Sequence, residues 1–384
     1  MERAVLKITE REIERLIARK AKEAGCSPSA KDCRSILTKL KSGSSTFRIR
    51  RWRFWEKGRR VAIQIDAKEI GAIEAEIETA LPAIIEKVSD DVVPHLAKAL
   101  TRQWRTERRS RAREGRDVLK RISREWGHAL DLLGMILAVT EELAGDLSND
   151  ETIERDARHE AVIRATGRAC RVVGEVLALV RAGFPDGGLA RWRTVHELTI
   201  VVEFLAENSV ETAEAYLLHA LEEERREEAA YSRFSEALGT TPVEPDEMEE
   251  SVHSMLLERF GTVFEQDCGW AADTLKKKKV TFADIERSVE AEHFRAPYKT
   301  ASRGVHAGAA GVGDLLKHLD TGALLSGPSL VGISAPVYLV AVSLTRAAAA
   351  LAALQPSLDN LIAVKVLCKF FESLNADIDA NSDA

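Results

Sequence analysis

The chain has 384 residues, 45% hydrophobic, 30% charged and only 5% aromatic, with a net charge of −6. A chain of that length and balance is expected to be globular and soluble, with two or three domains and a sizeable core, which excludes disorder as its main state. Plentiful Ala and Leu, with few turn signals between long periodic stretches, point to an α-rich protein. The charge is unevenly placed. Residues 1–126 carry 31 Lys and Arg against 19 Asp and Glu, a net of +12, and the remainder carries 24 against 42, a net of −18. A basic N-terminal third suits nucleic acid, an anionic surface, or the acidic rest of the same chain. The five cysteines (Cys26, Cys33, Cys170, Cys268, Cys368) are scattered, without metal-ligand spacing, and no apolar leader precedes them. Reduced thiols in a cytoplasm are the expectation, with no metal and no cofactor.

In chain order, Ile8 to Ala24 has Ile and Leu at helical spacing, and Ser27-Pro28 reads as the cap and first turn of a second helix ending near Leu40. Ser42 to Ser45 breaks it. Phe47 to Trp55 and Arg59 to Ile65 alternate with period two around Glu56-Lys57-Gly58, which predicts a small β-hairpin at about 46–66. Helix resumes near Ala67, with breaks expected at Pro82 and Pro94, up to about Leu100. The Arg-rich run 101–125 then passes into apolar periodicity from Trp126 to Leu143, so a long connecting helix is expected, with the domain boundary inside it at about residue 115. From there helices are predicted over 160–182, 189–206, 211–237, 252–278 (interrupted at Gly269-Trp270), 282–292, 298–308, 334–354 and 356–375, with a frayed polar tail. Val331 to Leu354 is long enough to span a bilayer. Pro336 and the mid-span Arg346 make it a buried core helix instead, and no membrane partner is expected.

Two segments about a hundred residues apart could carry chemistry. The first is Arg191-Trp192-Arg193-Thr194-Val195-His196-Glu197, the second Tyr298 to His306 with Ser302 and Arg303. Arg191 and His196 lie five positions apart, about 140° around an ideal helix, and converge only if the glycines before Arg191 distort its first turn. Arg193 shares a face with His196 and lies four before Glu197, so it serves either a ligand or a surface ion pair. Glu203 sits in an apolar run and must have a partner. Two readings are open. In one, His196 takes a proton from a ribose 2′-hydroxyl, Arg191 or Arg193 stabilises the phosphate, His306 and Ser302 complete the site, and Arg303, Glu197 and Tyr298 hold substrate. In the other, both imidazoles hydrogen-bond inside a helical core while the arginines brace buried carboxylates. The hairpin interleaves Arg48, Arg50, Arg51, Arg53, Arg59 and Arg60 with Trp52 and Trp55, the residue types that grip phosphates and stack on bases, although some of its rings must be core. The Arg102 to Arg124 run reads as a solvated helix face or an ion-paired seam, and Lys276 to Lys279 as cations closing a helix.

The landmarks Trp126-Gly127-His128, Gly167-Arg168-Ala169-Cys170, Gly187 to Glu197, Ala215 to His219, Gly269-Trp270-Ala271 and Tyr298 to Gly308 occur in an order that resembles an uncharacterised bacterial family, domain of unknown function number five-six-seven-seven. The spacing of Arg191 and His196 is similar, more distantly, to the HEPN superfamily. That resemblance implies metal-independent RNA cleavage in toxin or phage-defence systems, and a homodimer that builds one site from two motifs. Trp192 after the arginine, the early position of the motif, and the lack of an arginine at the matching distance from His306 depart from it. The sequence therefore predicts a mainly α protein. Residues 1–115 form a basic helical region with the hairpin, recruiting RNA or other single-stranded nucleic acid. Residues 116–384 form a helical bundle carrying the candidate site. The alternative function is a non-catalytic interaction or sensor module that binds nucleic acid or a protein partner.

Overall fold

The computed structural model describes residues 2–41, 44–50, 60–150, 155–242, 247–306, 309, 311 and 327–382. It is mainly helical, with one two-stranded antiparallel sheet among the described residues. The chain divides into two compact units, Met1–Arg109 and Ser110–Ala384.

The first unit holds α1 (Glu2–Glu23), α2 (Ala30–Lys41), β1 (Thr46–Arg50), β2 (Arg60–Gln64) and the start of α3 (Ala67–Asn149). Leu16 and Ile17 of α1, Ile36 and Leu37 of α2, and Phe47, Ile63 and Ile65 from the hairpin form its small core. The pairing Phe47 with Ile63 puts both on the inner face, while Arg48 points to water. Helix α2 begins two residues later than its predicted start. Ser29 and Asp32 close a reciprocal box there: the Ser29 N–H donates to Asp32 Oδ2 at 2.9 Å and the Asp32 N–H to Ser29 Oγ at 3.2 Å. The predicted hairpin turn at Glu56 to Gly58 lies outside the described residues.

Helix α3 is a single element of 83 residues that runs through both Pro82 and Pro94. The expected breaks are absent. Each proline leaves one carbonyl four residues earlier without a partner, and Glu78 and Asp90 are both exposed, so water can satisfy it.

The second unit adds α4 (Ala157–Arg181), α5 (Pro185–Glu207), α6 (Val210–Arg233), the one-turn α7 (Ser235–Leu238), α8 (Glu247–Phe260), α9 (Ala272–Leu275), α10 (Phe282–Ser288), α11 (Arg295–Val305), α12 (Ser334–Ala353) and α13 (Leu358–Ser382). Asp156 caps α4 by accepting the His159 N–H, and Ser209 caps α6 through Thr212. Helix α5 starts at Pro185, four residues before its predicted start, because proline suits the first turn. Gly188 then lies inside the helix, where a Cβ would come within 2.9 Å of Val180 Cγ2, so its bare backbone lets α5 close on α4. Helix α12 packs on α5, α4 and α13. It is long and apolar enough to cross a membrane by length and composition, and 61% of that apolar window is buried inside the bundle.

The helix predicted over 252–278 is instead four short pieces. Gly261 stops α8 with a φ of +79°, and 3₁₀ turns at Thr262–Glu265 and Gly269–Ala271 follow. A Cβ on Gly269 would sit 2.2 Å from the Val263 carbonyl oxygen, so the two turns meet backbone to backbone. The tail is not frayed to the extent expected, since α13 extends to Ser382 with Leu374 and Ile378 buried.

Candidate functional site

Helix α5 is covered on most sides, and its His196 is only 1% exposed. Four rings box the imidazole: Trp192 one turn earlier, Phe282 on α10, Phe294 just before α11, and Tyr298 on α11, with centroids 5.3 to 6.2 Å away. Its Nε2 lies 2.9 Å from Glu286 Oε1, and Glu286 is equally buried. The other Glu286 oxygen pairs with Arg295 at 2.6 Å. Burial, then the nearby Arg346 guanidinium, pushes the imidazole down to about 4. The Glu197 carboxylate pulls the other way, but Arg295 adds to the depression and desolvation wins. His196 is thus a neutral ring donating Nε2–H to an Arg-paired carboxylate. Burial also pushes the Glu286 carboxyl up, opposed by Arg295.

A second layer lies nearer the surface. Arg193 Nε donates to Glu197 Oε1 at 3.0 Å and to Tyr298 Oη at 2.9 Å, and the Tyr298 hydroxyl donates to Glu197. Burial, followed by the Glu197 carboxylate, pushes the Tyr298 phenol up to about 12, so it stays a donor. Arg193 and Arg295 also stand over the Tyr298 ring, at 4.9 and 5.3 Å. Deeper in the bundle, Arg346 of α12 grips Glu203 with two bonds of 2.7 and 2.8 Å, which supplies the partner that the sequence demanded. Trp192 Nε1 donates to Ser343 Oγ at 3.0 Å and ties α5 to α12.

The structure therefore gathers His196, Arg193, Glu197 and Tyr298 into one cluster. Arg191 is not in it. Because α5 is already regular at that point, Arg191 stays on another face and pairs with Glu175 of α4 at 2.7 Å. Ser302 bonds back to the Tyr298 carbonyl at 2.9 Å, and Arg303 and His306 are exposed at the C-terminal end of α11, whereas His196 is sealed. Sequence reasoning missed Glu286, Arg295, Phe282 and Phe294. Each is ordinary in its own short helix, and only tertiary packing brings them to α5.

A third charged group is Glu222, His253 and Glu265, whose ligand atoms lie within 4.8 Å of one another. Guanidiniums already occupy it: Arg225 contacts Glu222 at 2.8 Å and Glu265 at 3.6 Å, and Arg226 approaches Glu222 at 3.8 Å. A cation there would have to displace them.

In the first unit, Arg48 is exposed and the register sets Arg50 opposite Arg60 at the end of the ladder. Arg51, Trp52, Arg53, Trp55 and Arg59 lie outside the described residues. Along α3, Lys98, Arg102, Arg105 and Arg109 recur at spacings of four, three and four, so they share an arc of about 60°. All four are exposed and none has an ion partner among the described residues.

Residues 159–323 match the model of a family of unknown function (DUF5677), a stretch that contains the boxed histidine and its partners but not the basic part of α3. No curated protein and no solved structure matches the chain.

Proposed function

We propose that this chain is a non-catalytic, nucleic-acid-binding protein. The basic face of α3 grips single-stranded RNA or DNA, and the bundle serves as an interaction or sensor module. The observation that carries this reading is the row Lys98, Arg102, Arg105 and Arg109, four exposed cations on one helix face that make no ion pair among the described residues. Rows of this kind displace counterions from a phosphate backbone. The sequence adds Trp52, Phe54 and Trp55 as rings on which bases can stack. The bundle's titratable cluster favours structure over chemistry, because its imidazole is closed off and its carboxylates are each paired.

A second reading, a HEPN-like metal-independent ribonuclease, draws on one observation: His306 is exposed at the end of α11, three residues after exposed Arg303. One experiment separates the two. The full chain is titrated onto a labelled single-stranded RNA across a salt series, and the same RNA is checked for cleavage with and without chelator. Binding through four phosphates predicts a slope of log K against log salt of about −3, and Arg102→Ala with Arg105→Ala and Arg109→Ala should cut it to about −1. Unchanged affinity in that triple variant, or cleavage lost in His306→Ala, would overturn the binding-only reading.

A further inference from the structure

We propose that α3 carries a self-association surface, on which a second copy of this chain packs antiparallel around residues 90–108. Val92, Val93, Leu96, Leu100 and Trp104 are each between 50% and 58% exposed. On a helix they fall within an arc of about 120°, opposite the basic row. Pro94 lies off that arc, so its ring does not interrupt the face. Half-exposed large apolar side chains aligned over three turns are a docking stripe rather than scattered surface residues.

The charges flanking the stripe say what covers it. Beside the stripe, the N-terminal end carries Glu86 and Asp90 and the C-terminal end carries Arg108. A parallel copy would set like charges together. An antiparallel copy, related by a two-fold axis near residue 98, sets Leu96 against Leu100 and Val92 against Trp104. Asp90 and Arg108 flank the stripe on the same side, about 90° from its centre, so the same axis brings Asp90 of one copy within reach of Arg108 of the other. The surface is self-complementary in shape and sign, and the basic row stays outward in both copies. This inference does not depend on nucleic-acid binding, since association is measured without nucleic acid.

The test is light scattering on the full chain over a concentration series. A dimer of the 42.4 kDa chain is expected at high concentration. Leu96→Glu with Leu100→Glu should give a monomer whose helical signal is unchanged. Asp90→Arg and Arg108→Asp should each weaken the dimer by about tenfold, and the two together should restore it. A monomer at every concentration overturns the proposal and leaves the stripe to a different partner. A dimer indifferent to the glutamates places association elsewhere. A dimer lost with the glutamates but not restored by the paired reversal rejects the antiparallel register.

Discussion

In the bundle, Arg191, Arg193, Arg295 and Arg346 each meet a carboxylate at 2.6 to 3.0 Å. Along α3, Lys98, Arg102, Arg105 and Arg109 face water with no such partner among the described residues. The same chemistry does opposite jobs in the two places. A guanidinium in the bundle is fixed by its anion, and Arg346 of α12 with Glu203 of α5 cross-links helices far apart in sequence. A guanidinium on a solvated helix face contributes little to stability and remains free to meet a phosphate. Net charge alone could not separate these roles. What separates them is whether an acidic residue lies within reach of the side chain.

That contrast can be broken experimentally, most sharply at Arg346. Arg346→Met strands Glu203, 9% exposed, beside apolar neighbours, and should cost about 3–5 kcal/mol in denaturant unfolding of the bundle. A loss below about 1 kcal/mol would mean that this pair is not the cross-link described here.

The next largest effect is a pH dependence at His196. Its folded value of about 4 lies below the ordinary histidine value of about 6.5, so the unfolded chain binds more protons between those limits. The stabilisation from keeping the ring neutral is therefore complete above about pH 6.5 and is lost as pH falls toward 4, by no more than about 3 kcal/mol. His196→Gln keeps a donor for Glu286 but does not titrate, so its stability should decline less over that window. Identical pH curves for the two proteins would show that the ring is not held neutral.

The smallest effect belongs to α3. The triple change Arg102→Ala, Arg105→Ala and Arg109→Ala should leave thermal unfolding within about 0.5 kcal/mol of the parent. A large loss would mean that these side chains are internal braces like those of the bundle.

The same contrast shows how far the sequence could be read. Periodicity located most helices, and alternation located the hairpin, but not which of its faces is inward. Glu203 announced its need for a partner because Ile200, Val201, Val202, Phe204 and Leu205 surround it. Breakers misled more than formers did. Pro82 and Pro94 read as helix ends but are carried through on an exposed helix, and Gly187-Gly188 read as a boundary although Gly188 serves close packing within α5. The site was legible on α5, where Arg193, His196 and Glu197 stand together, and Tyr298 was correctly grouped with them. Glu286 and Arg295 were not, because 90 or more residues separate them from His196 and no local pattern encodes that meeting. Arg191 shows the complementary error: its 140° separation from His196 could close only through a distorted first turn, and α5 is regular there.

Gly269 has a consequence for how this chain can vary. With the Val263 oxygen 2.2 Å from where a methyl would begin, its one hydrogen leaves no room for any other amino acid. In a saturation library scored for folded protein, that position should tolerate a single letter, while the solvent-facing stretch around Arg105 should accept nearly all. Folding alone thus permits drift on the exposed face of α3 and forbids it at this turn of the bundle.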